Sequence, residues 1–146
     1  MNMIKVFAIG AALAAGAAFA QEVRTDPNAI ARSDLMKTVG MNTGVLGDMA
    51  SGKTPYDAAA AEAAKAALVE AFGKVEATFM EQGGPDPVDL AKPEIWTNWE
   101  DFLTKANAAA TAAGAIDVSS AETIGAGMGG LGGACKDCHT AYRISK

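Results

Sequence analysis

Residues 132–146 read GGACKDCHTAYRISK. They contain both cysteines of the chain, Cys135 and Cys138, and its one histidine, His139. Two thiols and an imidazole fall within five consecutive residues, and no comparable cluster occurs elsewhere in the 146. What this cluster can do depends on the scaffold that presents it and on the compartment the chain reaches.

The compartment is read from the other end. Met1 to Lys5 carries one positive charge, residues 6–17 form an apolar, alanine-rich run, and Ala18-Phe19-Ala20 offers small residues where a signal peptidase reads them. The run is shorter than the roughly 20 apolar residues of a spanning helix. Residues 1–20 therefore read as a cleaved signal peptide and residues 21–146 as one soluble domain exported to the periplasm, with no membrane span after leader cleavage. Without Lys5 the mature chain holds 11 basic and 17 acidic residues, a formal charge of 11 − 17 = −6. That balance argues against nucleic acid, which rewards a basic face. It suits solubility and a basic partner, although a mild acidic excess is also what an ordinary solvated surface shows.

The scaffold reads as helical throughout. Ala29, Met36, Val39, Thr43, Leu46 and Ala50 recur at threes and fours, with Asp26-Pro27 as N-cap and first residue and Ser51-Gly52 as the stop. Thr54-Pro55 is expected to open a second helix carrying Ala64, Leu68, Phe72, Val75 and Phe79, and Gly83-Gly84-Pro85-Asp86-Pro87 to end it. Ile95, Trp99, Phe102 and Ala106 mark a third, ending near Gly114. A fourth follows a capping box of Ser119 and Glu122 and runs through Ile124, Leu131, Cys135, Cys138 and Tyr142. No stretch alternates with the period of a strand. The fold class expected is all-α, an antiparallel up-down four-helix bundle. Six glycines, Gly125, Gly127, Gly129, Gly130, Gly132 and Gly133, interrupt the fourth pattern at about 1 kcal/mol each relative to alanine. Either the helix frays or starts late there, or its backbone lies against something flat and bulky; the second reading is preferred.

With export and a helix in place, the cluster has four readings. A disulfide across two intervening residues closes too short a loop to stabilise much, and leaves His139 unexplained. Zinc wants a fourth ligand and another spacing. A thioredoxin-like pair needs a βαβ setting. Cys-x-x-Cys-His as a c-type haem attachment uses all three residues: the cysteines bond the porphyrin near the C-terminus and His139 ligates the iron. With no second histidine, the sixth position falls to methionine, lysine, another weak ligand or none. Of Met36, Met41, Met49, Met80 and Met128, only Met36, Met49 and Met80 are far from the haem helix in sequence and expected to face inward. Trp96, Trp99, Phe72, Phe79 and Phe102 are expected to be core.

A bundle ending in this motif and Tyr142-Arg143 resembles the class II c-type cytochromes over essentially the whole mature chain. The resemblance includes the Arg32 to Met36 spacing, Gly52-Lys53-Thr54-Pro55-Tyr56-Asp57-Ala58-Ala59 and Lys92-Pro93-Glu94-Ile95-Trp96. It implies one covalently attached haem c; an enzymatic role is a third possibility, not expected because no paired carboxylates, second histidine or metal cluster supports it beyond what haem alone can do. In the branch resembling cytochrome c-556, methionine at the position of Met36 is the sixth ligand, and the chain would carry electrons to redox partner proteins. In the cytochrome c′ branch that residue stays off the iron, which binds nitric oxide or carbon monoxide. Leu35-Met36-Lys37 looks closer to the first branch, although core packing is the other reading of Met36. Arg32 matches an arginine placed near a haem propionate, though Ser33 departs from the usual glutamine. Arg143 would disfavour protonation of His139, or simply favour the helix dipole. The resemblance also allows a homodimer through the first two helices.

Overall fold

In the computed structural model, residues 24–87 and 89–145 are described; the signal peptide expected over 1–20 lies outside the described residues. Six helices form four rods: α1 (Pro27–Ala50), α2 with α3 (Ala58–Gly73, Val75–Phe79), α4 with α5 (Glu94–Thr97, Trp99–Gly114) and α6 (Ala121–Tyr142). Each rod packs on the next in sequence, and α1 closes the ring against α6, which gives the up-down bundle. The described residues contain no strand, only an isolated antiparallel bridge between Ala91 and Arg143.

Local chemistry sets the ends of the rods. Asp26 caps α1 by accepting from the Ala29 amide at 2.8 Å, with Pro27 at the first position, as expected. The second helix starts later than Thr54-Pro55 suggests: its cap is Asp57, accepting from Ala60 N at 2.7 Å. The capping box of α6 also sits one residue further on, formed by Ser120 with Thr123 instead of Ser119 with Glu122. The second rod breaks at Lys74, and the third at Asn98, whose backbone leaves the helical region.

Asp26 also ties the α1 start to the 81–87 loop. Its carboxylate accepts from Gly84 N at 2.7 Å, and Gly83, at φ +77°, leaves room for it: a Cβ there would lie 2.5 Å from Oδ1. The Gly84 amide, then that of Ala29, hold the Asp26 carboxyl below its ordinary value of 3.8. A depressed carboxylate stabilises the fold above its unfolded value, and that stabilisation is lost as pH falls through the folded value. Asp26→Asn should therefore flatten the acid limb of the stability curve below about pH 3.8, as measured by urea unfolding across that range.

The glycines of α6 neither fray the helix nor delay it, since α6 runs unbroken from Ala121. They divide into three groups. A Cβ at Gly125 would make only ordinary contact, 3.8 Å from Ala50 Cβ. Gly127 lets α6 press onto the turn after α5: a Cβ would lie 3.1 Å from Ile116 Cγ1 and 3.2 Å from its Cα. At Gly129, Gly130, Gly132 and Gly133 a Cβ would meet nothing within 4 Å beyond the helix's own backbone, and none of the four lines the cavity described below. Gly130→Ala should accordingly stabilise the protein by up to about 1 kcal/mol. Gly127→Ala should destabilise it despite the same gain in propensity, and paired chemical-denaturation curves would show the opposite signs.

The core is uneven along the bundle. At the end holding the α1–α2 turn, Leu46, Ala61, Ala113, Ile116 and Ile124 are fully buried and close-packed. At the other end, larger residues line an open cavity.

Candidate haem site

That cavity occupies about 520 Å³, within the range of cofactor pockets, and every rod contributes to its walls. Phe72, Val75, Phe79, Ile95 and Phe102 form much of the apolar lining. Of the aromatics expected as core, Phe72, Phe79 and Phe102 also face the open space, and Phe79 and Phe102 meet at a tilt of 41° with 5.2 Å between centroids. Tyr142 meets Phe102 edge-on at 5.5 Å, and its hydroxyl is turned to Asp101 Oδ2 at 2.5 Å. Burial, then that carboxylate, push the Tyr142 phenol up to about 12, so it remains a neutral wall.

On α6 the spacing of Cys135, Cys138, His139 and Tyr142 places all four on the cavity side. Both cysteines are free thiols, half-buried. Burial raises the pKa of Cys135, and burial with the neighbouring Cys135 takes Cys138 up to about 11. Removal from water lowers the His139 pKa, and the Arg143 guanidinium lowers it further, as expected for that residue. At neutral pH the motif thus carries two S–H groups and an imidazole with a free lone pair. These are the forms that add across vinyl double bonds and donate to iron. Among the described residues no group of three or more His, Cys, Asp and Glu side chains converges on a metal-sized site, so the zinc reading finds no ligand set.

The methionines separate cleanly. Met36 lines the cavity from α1. Met49 is buried in the tight end of the core, Met41 is 65 % exposed as expected, and Met128 approaches the Gly47 position. Met80 is 57 % exposed, which corrects the expectation that it faces inward: it caps the end of α3 and points away from the bundle.

Arg32, also on the wall, is the buried charge of the site at 2 % exposure. Its guanidinium donates to the carbonyls of Glu81 at 2.9 Å and Gln82 at 3.1 Å and to Asp89 Oδ2 at 2.5 Å, and it stacks over Trp96 at 5.2 Å. Asp89 completes this pair from an irregular loop, where no periodicity marks it. One donor is left over. Arg32 Nε is buried without a protein partner, and so is the hydroxyl of Thr43 about three turns along the same wall. Buried polar groups are nearly always paired, so these orphans fit a guest that brings its own acceptors, as a haem brings its propionates.

A helical bundle with an apolar cavity at its open end and a Cys-x-x-Cys-His helix along one wall is the scaffold of a c-type haem protein. The cytochrome c′ family model matches residues 28–143, and the chain belongs to that family, whose cofactor is a covalently attached haem c. A cytochrome c-556 of Agrobacterium tumefaciens (strain apple 185) is 41 % identical over 121 residues, covering 80 % of this chain and 94 % of its own. The solved cytochrome c′ of Rhodobacter sphaeroides superposes with a TM-score of 0.74 at 30 % identity, over 82 % of this chain and 96 % of that one. A nitric oxide complex of a cytochrome c prime variant from Alcaligenes xylosoxidans superposes at 0.70 with 26 % identity, over 81 % and 94 %. Among the described residues no helix is long and apolar enough to cross a membrane.

Proposed function

We propose that the protein is a periplasmic electron carrier whose iron is held between His139 and Met36. The observation that carries this reading is that Met36, alone of the five methionines outside the leader, lines the cavity into which His139 also faces. Haem supplies a one-electron iron couple there, and no bond in the protein needs to form or break, so no enzymatic step is assigned. The protein's own groups bind and orient. Cys135 and Cys138 fix the porphyrin edge, and Arg32 offers its spare Nε–H to a propionate while Asp89 neutralises its charge. The aromatic walls exclude water. A thioether ligand favours electron transfer by raising the reduction potential.

The second reading is a gas-binding protein in which Met36 packs over an open iron. The nitric oxide complex of the Alcaligenes relative supports it. Absorption spectra of the ferric and ferrous holoprotein, with and without carbon monoxide, separate the two. A low-spin spectrum indifferent to carbon monoxide supports the carrier, and a high-spin spectrum shifted by the gas supports the sensor or sequestering role. In either case the exposed Met41 and Val45 beside Gly40 and Gly44 favour pairing of two copies through α1.

A further inference from the structure

The last four carbonyls of a helix have no partner within it, and a glycine just past the end or a basic side chain of the last turn commonly covers some of them. At α6 no glycine stands there. The basic residue of its last turn is His139, which lines the cavity, and Arg143 leaves the helix in an extended conformation. All four carbonyls are nevertheless covered. His139 O accepts from Arg143 N at 3.0 Å, Thr140 O and Ala141 O both accept from Lys92 Nζ at 3.1 Å, and Tyr142 O accepts from Lys92 N at 3.0 Å. One loop residue, 48 positions from Thr140, thus serves three of the four. Pro93 disfavours the helical conformation at Lys92, which stays outside α4 with its amide free for the tail and its side chain free to cross the helix end. The bridge of Ala91 with Arg143, and Ile144 N donating to Leu90 O at 2.8 Å, keep the two segments side by side. Lys92 makes no ion pair among the described residues and does not line the cavity, so it reaches the haem site only through α6.

We propose that Lys92 is a positioning residue for the proximal ligand: by clamping the carbonyl end of α6 it fixes the backbone of the turn that begins at His139, and with it the aim of the imidazole. This role rests on His139 as the iron ligand and is independent of what fills the sixth position. His139 stands between two sets of anchors. On its N-terminal side Cys135 and Cys138 are tied to the porphyrin once their thioethers have formed. On its C-terminal side the Tyr142 side chain holds the turn to α5 through Asp101 and Phe102, and Lys92 holds its backbone. A charged donor makes the stronger hydrogen bonds, and an ammonium at these carbonyls also meets the negative end of the helix dipole. Without it two carbonyls lose their partner, and the end of the turn is held by the Lys92 amide alone. An imidazole on a loosened backbone presents a spread of angles to the iron.

The test is electron paramagnetic resonance of the ferric holoprotein, with amide hydrogen exchange as a second readout. Lys92→Met keeps a long side chain and removes its donors and charge. The g-values should shift and broaden relative to the parent, and exchange at Arg143 N, which reports the bond to His139 O, should quicken on the order of tenfold. Lys92→Arg, which still brings N–H donors and a positive charge, should restore both. Lys92→Gln, which keeps a donor without the charge, should fall between. Leu68→Ala is the control: Leu68 is fully buried and does not line the haem cavity, so its truncation should lower the urea midpoint further while leaving the g-values unchanged. Parent-like g-values in Lys92→Met would overturn the proposal and leave Lys92 a helix cap only, as would an equal change in Leu68→Ala. A His139→Ala holoprotein that keeps the parent's g-values would remove the premise instead, an outcome distinct from the others. The carbon monoxide spectrum of the parent decides the sixth position separately.

Discussion

Cys135→Ser with Cys138→Ser is expected to yield a chain from which haem is extracted by acid and organic solvent, and which loses much of its helical circular dichroism once the haem is gone. The wild-type protein should keep its haem through denaturation, because two thioether bonds hold it. The size of the cavity explains the structural part of the effect. Leaving about 520 Å³ unfilled at about 24 cal/mol per Å³ gives an upper figure of ~12 kcal/mol. That is comparable to the whole stability of a typical domain, about 5–15 kcal/mol. Relaxation of the open end reduces the penalty, and Phe79 and Phe102 keep their contact with each other. The tight end, with Leu46, Ile116 and Ile124, should keep residual helix. Haem that stays on the double variant in a denaturing gel would sink the attachment, and a fully helical, cooperatively melting apoprotein would sink the packing argument.

Met36→Ala is the second. If the thioether is the sixth ligand, the ferric spectrum should pass from low to high spin, and the ferrous protein should acquire carbon monoxide binding that the parent lacks. Met49→Ala provides the comparison. Met49 is 5 % exposed and does not line the haem cavity, so its truncation should cost about 2–5 kcal/mol while leaving the spectrum unchanged. A Met36→Ala protein with an unaltered spectrum would assign Met36 to packing and move the function toward gas binding.

The haem motif and the four rods were legible because each rests on a short-range rule: Cys-x-x-Cys-His fixes its own spacing, and the apolar threes and fours of α1 and α5 fix their faces. What escaped depends on longer-range choices. Thr54-Pro55 has the composition of a helix start, but Thr54 N donates to Asp48 O and closes the α1 end, leaving Asp57 to cap α2. Ser119 and Ser120 are both able to cap, and Thr123 decides between them by bonding Ser120 N. Asp89 carries no signal at all: its role appears only when the loop brings it to Arg32, 57 residues away. Met80 shows the opposite error, since a methionine at the end of an apolar stripe looks inward until the rod stops at Phe79.

The bridge between Ala91 and Arg143, with Lys92 N donating to Tyr142 O and Ile144 N to Leu90 O, joins the loop carrying Asp89 to the tail. Because Asp89 in turn holds Arg32 of α1, one wall of the cavity is assembled from the first helix, the middle loop and the segment that follows α6. Contacts of such long sequence separation are the slow ones to form, so this seam is expected to close late in folding.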